Sequence, residues 1–244
     1  MKRLTPVLIL LSLLLVSCSV TQSVSLNSSY GALRGSSQTQ ISATDFFVGV
    51  VEDLSSWKAN GNNDPVMDVA VSEFAQNVKA SSASSSVSFK KNGENSYEGS
   101  FNFSDLEKLV SDLCLNNPNQ TLVTVRREGS RTRMKLLISL ENWATLTQVV
   151  PFLADRNFAV WGPVYNNPPH DYLTEEDYKE LVAFILGEDG PDAIDASRIT
   201  IRLNLPSEVK STNGTIVSKN TVEFSFPLID FLLLHNPIEF WCEF

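Results

Sequence analysis

From Ile199 to the last residue the chain keeps a two-residue beat. Ile199, Ile201, Leu203 and Leu205 alternate with Thr200, Arg202 and Asn204; Val222, Phe224 and Phe226 repeat the pattern; Ile238, Phe240, Cys242 and Phe244 close it. Successive side chains on a strand point to opposite faces, so these segments are strands with one face on a core and one in water. They predict antiparallel pairing, because strands of a parallel sheet covered on both faces would read as continuous apolar runs.

Helical patterns occupy the middle. Asp64 is placed as N-cap and Pro65 as first helical residue ahead of Val66, Val69, Ala70 and Phe74. Ser104 to Glu107 reads as a capping box before Leu106, Leu109, Val110 and Leu113. A helix over "ENWATLTQVVPFLAD" is expected to kink or restart at Pro151. Thr174 caps another, stapled by Leu173 and Tyr178, with Tyr178, Leu181, Val182 and Ile185 on one face and Gly187 at its end. "DFFVGVV", residues 45–51, reads as a buried strand. "VSFKKNGENSYEGSFNF" reads as a hairpin with a three- or five-residue loop that sets Phe89 opposite Tyr97. The fold class that follows is α+β: over residues 45–244, a curled antiparallel sheet of at least six strands packed on three or four amphipathic helices.

The chain opens with Lys2 and Arg3, then an apolar run from Leu4 to Val16, too short to span a bilayer as a mature helix. Leu15, Val16, Ser17 and Cys18 resemble the lipobox of bacterial lipoproteins. That resemblance implies a signal peptide over residues 1–17 and Cys18 as an acylated N-terminus holding the protein on a membrane of the cell envelope. The membrane would face the periplasm or the cell surface, with the outer membrane favoured. Residues 18–44, rich in Ser, Thr, Gln, Asn and Gly, read as the lipidated cysteine followed by a flexible tether.

Loss of residues 1–17, which hold Lys2, Arg3 and no acid, takes the formal charge from -9 to -11. So acidic a chain does not read as a nucleic-acid binder. Sequence signatures of nucleotide-binding loops, zinc proteases and serine hydrolases are absent, and no cofactor is implied. With two histidines far apart, no metal-ligand spacing occurs. His170 beside Asp171 is the candidate acid-base pair of an envelope hydrolase, but its Pro/Asn loop ahead of a capped helix favours a structural reading. His235 is expected to cap a turn, and "GEDGPDAID" to form a solvated one. Cys114 and Cys242 sit where small core residues would, so buried free thiols are preferred over a disulfide.

One cluster stands out. "RREGSRTRMK" holds Arg126, Arg127, Arg131, Arg133 and Lys135 within ten residues of an acidic protein. A two-residue Gly129-Ser130 loop pairs Val125 with Met134 and Val123 with Leu136 on a core face. The same register opposes Arg126 to Arg133 and Lys135 to Thr124, leaving Glu128 as the one compensating acid in the hairpin. Either the cations splay into solvent, or Arg126, Arg133 and Lys135 surround an anion.

"YEGSFNFSDLEKL", the strand pair after it and "LNLPSEVKSTNGTIVSKNTVEFSFPL" resemble LppM-like envelope lipoproteins, and "PFLADRNFAVWGPVYNNP" resembles a segment of spirochaete lipoproteins. The first likeness implies a membrane-anchored α+β domain with an apolar concavity for an envelope lipid, and the few candidates for a nucleophile-base-orienter set in the sequence predict that it is not an enzyme. An anionic amphiphile would set its tails among Phe224, Phe226 and Phe240 and its head group near Arg126 and Arg133. The alternative is a structural or partner-binding surface lipoprotein.

Overall fold

The computed structural model describes residues 18–29, 31–54, 64–117, 119–155, 159–168 and 172–244. The expected signal peptide, residues 1–17, and His170 with Asp171 lie outside them.

Eleven strands are described: β1 Ser19–Ser29, β2 Ala32–Ser42, β3 Ser84–Lys91, β4 Ser96–Phe103, β5 Val123–Glu128, β6 Arg131–Ile138, β7 Arg198–Asn204, β8 Ser211–Thr212, β9 Thr215–Ser218, β10 Thr221–Pro227 and β11 Ile238–Glu243. Seven helices accompany them: α1 Asp45–Leu54, α2 Val66–Ala80, α3 Leu106–Leu113, α4 Trp143–Val149, α5 Glu175–Leu186, α6 Asp189–Ala196 and α7 Leu228–Leu233. The architecture is α+β, but with two sheets rather than one and more helices than three or four. A seven-stranded sheet runs β3-β4-β2-β1-β7-β10-β9 and a four-stranded sheet runs β5-β6-β11-β8. Pairing is antiparallel except between β1 and β7, which run parallel in register Val20↔Ile199 and Val24↔Leu203.

Residues 18–44 are not a tether. They hold the two strands in the middle of the larger sheet, with β1 paired to β2 along its whole length and to β7 on its other side. The physical reason lies in the faces. Outward positions of β1 and β2 are mostly Ser, Thr, Gln and Asn, with Arg34, while Val24, Leu26, Leu33 and Ile41 turn inward. Val24 stands beside Leu203, and Leu203 beside Val222, so one apolar row crosses three strands. Burying such side chains stabilises by about 1.5–3 kcal/mol each, enough to hold strands of otherwise polar composition. Three inward positions are themselves polar: Thr39 Oγ1 donates to Gln22 Oε1 at 2.7 Å, and Gln22 Nε2 donates to Ser37 Oγ. These mutual bonds remove the cost of burying Ser37 and Thr39.

The main core lies between the two sheets and under α2 and α3, and includes Leu26, Phe101, Phe103, Val110, Leu203 and Phe240. Phe224 stacks flat on Phe240 with centroids 5.1 Å apart, tying the larger sheet to the smaller. The segment from β8 to β9 passes from one sheet to the other at Gly214. A Cβ there would lie 2.8 Å from the Phe240 ring and 2.7 Å from the Glu223 carbonyl oxygen. A second core, of Tyr178, Val182, Ile194, Ile229, Leu232 and Leu233, sits between α5, α6 and α7. β1 runs from Cys18 beside this helical lobe to Leu26 in the main core.

Local readings meet mixed outcomes. "DFFVGVV" is helix α1, started by Thr44, whose carbonyl accepts from Val48 N at 3.0 Å and whose hydroxyl accepts from Phe47 N at 3.3 Å. A run apolar on every side is equally a helix buried on several faces, and here the helix wins. α2 begins at Val66, with Pro65 in the extended capping position and no side-chain cap. α3 is capped by Asp105, which accepts from Lys108 N at 3.0 Å, rather than by Ser104. Pro151 restarts the chain as a short 3-10 turn, Pro151–Ala154, after α4. α5 is capped by Thr174 as expected, and the structure adds a reciprocal box with Asp177; Gly187 ends the helix at φ 91°. Leu181 and Ile185, however, stay exposed while Tyr178 and Val182 are buried. "GEDGPDAID" is no solvated turn: it contributes helix α6, with Gly190, Ala193 and Ile194 buried.

In the β3–β4 hairpin residues 92–95 join the strands, with Asn92 N donating to the Ser96 carbonyl at 2.9 Å, and Phe89 faces Gly99 while Lys91 faces Tyr97. That is two residues from the expected register, so each side chain keeps its face. Gly99 permits it: a Cβ there would stand 2.1 Å from Phe89 Cε1. Cys114 and Cys242 are buried free thiols.

Candidate functional site

A basic outer face and an apolar cleft, lined by different residues, are two candidate places for a ligand among the described residues.

The basic face is the β5–β6 hairpin. Its register is Val123↔Leu136, Val125↔Met134, Thr124↔Lys135 and Arg126↔Arg133, as the Gly129-Ser130 loop requires. Gly129 takes φ 61°, a conformation glycine adopts without a steric cost. A depression of about 480 Å³ on the outer side is lined by Thr124, Arg126, Arg131, Arg133 and Lys135, among others. The neighbouring β11 compensates part of the charge: Arg133 Nη1 lies 3.5 Å from Glu243, and Lys135 Nζ lies 2.6 Å from Glu239. Glu128 is the one acid within the hairpin, but the acids that pair with its cations across the β6–β11 register are Glu239 and Glu243. The Arg133 guanidinium also sits over the Trp241 ring, 4.4 Å from its centroid. Arg127 leaves the cluster to pair with Glu107 at 2.5 Å. Among the described residues, Arg126 has no carboxylate partner.

The expected tail residues do not share a cavity with these cations. Phe224 and Phe240 stack on each other and Phe226 packs beside them, so the rings fill the interior themselves. On β11, Ile238, Phe240 and Cys242 turn inward while Glu239, Trp241 and Glu243 turn outward. A head group at Arg126 and Arg133 and a tail at Phe240 would therefore lie on opposite faces of one sheet.

The apolar cleft, of about 280 Å³, lies at the other end of β1. Its walls come from the starts of β1 and α2, the end of β2, α1, α5, α6 and α7, the turn after α4, and Trp161. Phe46, Phe47, Met67, Trp161, Val182 and Phe231 form much of the lining, and Cys18 is part of the wall. Cys18 is 8 % exposed. Its backbone N donates to Ser197 Oγ at 2.9 Å and its carbonyl accepts from Arg198 N at 3.1 Å. The Tyr178 hydroxyl is occupied, donating to the Trp161 carbonyl at 3.1 Å. Burial pushes the Cys18 thiol up to about 11 and raises the Tyr178 phenol well above its usual value, so both keep their protons at neutral pH.

Of the residues singled out from sequence, Arg126, Arg133 and Lys135 come together and Cys18 lies apart from them. His235 does not simply cap a turn. Its ring stacks on Tyr172, centroids 4.3 Å apart, and its Nε2 is buried with no hydrogen-bond partner among the described residues. Among the described residues no group of three or more His, Cys, Asp or Glu side chains is placed to hold a metal ion, and no helix is long and apolar enough to cross a membrane. The cleft was missed because its walls come from distant segments. The signal was present in part, as the Val20, Val24, Leu26 alternation directly after Cys18.

No protein-family model and no curated protein sequence matches this chain. Among solved structures, the folded domain of LppM from Mycobacterium tuberculosis is similar, with a TM-score of 0.36 and 13 % sequence identity over 94 % of this chain and 88 % of that one.

Proposed function

We propose that this chain is a non-enzymatic envelope lipoprotein, held on a membrane through lipid on Cys18, whose apolar cleft takes in an aliphatic chain. The observation that carries the reading is the coincidence of the lipobox cysteine with the wall of that cleft. A lining with no carboxylate, imidazole or amine, and with its phenol held protonated, favours sequestration of apolar matter over acid-base chemistry. Cells fed labelled fatty acid should incorporate the label into the parent chain and leave a Cys18→Ala variant unlabelled and released from membranes. Equal labelling of the variant would refute the anchor.

A second, independent reading assigns the outer face of β5 and β6 to an anionic group. It rests on Arg126, which stands opposite Arg133 and lacks a carboxylate partner among the described residues. An anion between them would relieve the like-charge opposition and accept charge-assisted hydrogen bonds, with Lys135 on the same face. A structural or partner-binding surface lipoprotein would leave both places empty in the mature protein.

A further inference from the structure

We propose that the chain seated in the apolar cleft is the protein's own, one of the aliphatic chains carried by Cys18, folded back in cis. This rests on the lipoprotein reading above and names the source of the ligand.

Three observations converge on it. First, no spacer separates Cys18 from the fold: Ser19 already pairs with Ser42 on β2 and with Arg198 on β7, and Cys18 is bonded through its N to buried Ser197 and through its carbonyl to Arg198. A substituent on its sulfur therefore begins inside the cleft wall, at effectively high local concentration. Second, the lining offers nothing to a head group. The Tyr178 hydroxyl is already bonded to Trp161, and the cations of the β5–β6 face line a different depression that shares no residue with the cleft. A free amphiphile would have to bury its polar end or leave the cleft, whereas a chain tethered at Cys18 enters without one. Third, the volume of about 280 Å³ falls just below the range of about 300–1,000 Å³ usual for small-molecule sites. A space of that size takes no more than one chain, so the remainder of a two- or three-chain anchor stays outside, in the bilayer. With a two-chain anchor, membrane attachment then depends on whether the seated chain stays in or leaves, because a single acyl chain grips a membrane only marginally and two grip it stably; a three-chain anchor keeps two chains in the bilayer throughout.

The test uses the full chain expressed in a lipidating bacterial host fed a brominated fatty acid, purified in detergent, with the lipid at Cys18 verified by mass spectrometry. Bromine quenches indole fluorescence at short range, and Trp161 lines the cleft. The expected result is quenching that is lost in Trp161→Phe and reduced in Ala70→Phe, which fills the cleft from α2. Two further results separate the failures. Absence of lipid on Cys18 would sink the lipoprotein reading and this inference together. Lipid present but Trp161 unquenched, or quenching equally strong when free brominated fatty acid is added to an unlipidated Cys18→Ser chain, would overturn the cis seating alone.

Discussion

Cys18 and Ser197 stand 179 residues apart in sequence and share a buried hydrogen bond of 2.9 Å, the Cys18 N–H donating to Ser197 Oγ. The same hydroxyl donates to the Ala193 carbonyl at 2.7 Å, so Ser197 ties the start of β1 to the end of α6. Ser197→Ala leaves a buried N–H without its acceptor, which costs about 1–3 kcal/mol. Urea unfolding should show that loss as a lower midpoint at unchanged slope. An unshifted midpoint would mean that Cys18 is not held in the fold.

The strand assignment of residues 19–42 makes a separate demand. At Gly35 an added Cβ would lie 1.8 Å from the Ser25 carbonyl oxygen, across the β1–β2 pair. Gly35→Ala must therefore force the two central strands apart, at a cost of about 1–3 kcal/mol. The global unfolding transition should move, not merely a local signal. If the segment were a tether, the substitution would change nothing, and a scan of thermal unfolding distinguishes the two outcomes.

What made that segment hard to read is the chemistry of its inner face. In β7, β10 and β11 inward positions are Ile, Leu, Val, Phe or Cys, and alternation reveals them. In β1 and β2 the inward positions include Gln22, Ser37 and Thr39, which satisfy one another only once the strands are paired, so the sequence shows a polar tract where the fold has a sheet centre. The basic hairpin was legible because its turn and its core residues agree on one register. Its neutralising partners, Glu239 and Glu243, come from a strand more than 100 residues later. Lining residues of the cleft come from six helices and strands or more, each carrying only one to three of them, and no local period announces such a site.

Alkaline pH should destabilise the unlipidated domain through its buried thiols. Burial pushes Cys18 from 9.0 up to about 11 and Cys242 from 9.0 up to about 12. Above pH 9 the unfolded chain loses these protons while the native state keeps them, so the native state binds more protons and stability falls as pH rises. Their contribution is intact below the unfolded value near 9 and declines above it, by about 1.4 kcal/mol per pH unit for each thiol until its native value is reached. Denaturant titrations between pH 8 and 11 should give a shallower decline for Cys242→Ala than for the parent. Parallel slopes would show that the Cys242 thiolate is tolerated in the core. Lipidated protein, whose Cys18 sulfur has no proton to lose, should likewise decline less steeply than the Cys18 thiol form.

Arg126 and Arg133 face each other but are not equivalent, and single substitutions should separate them. Arg133 has Glu243 at 3.5 Å and the Trp241 ring beneath it, whereas Arg126 lacks a carboxylate partner among the described residues. Arg126→Ala removes a like-charge opposition and should leave stability unchanged or raise it by a few tenths of a kcal/mol, within the range of about 0.2–1 kcal/mol for cross-strand pairs. Arg133→Ala removes the same repulsion but also an exposed ion pair and a cation-π contact of about 0.5–1 kcal/mol, so it should be neutral to mildly destabilising. Inorganic phosphate tests the anion reading: if Arg126, Arg133 and Lys135 form a site, phosphate should raise the unfolding temperature of the parent and of Arg127→Ala, whose side chain points to Glu107 instead. The gain should vanish in Arg126→Ala/Arg133→Ala. A phosphate effect of equal size in that double variant would reduce the cluster to a solvated charged face.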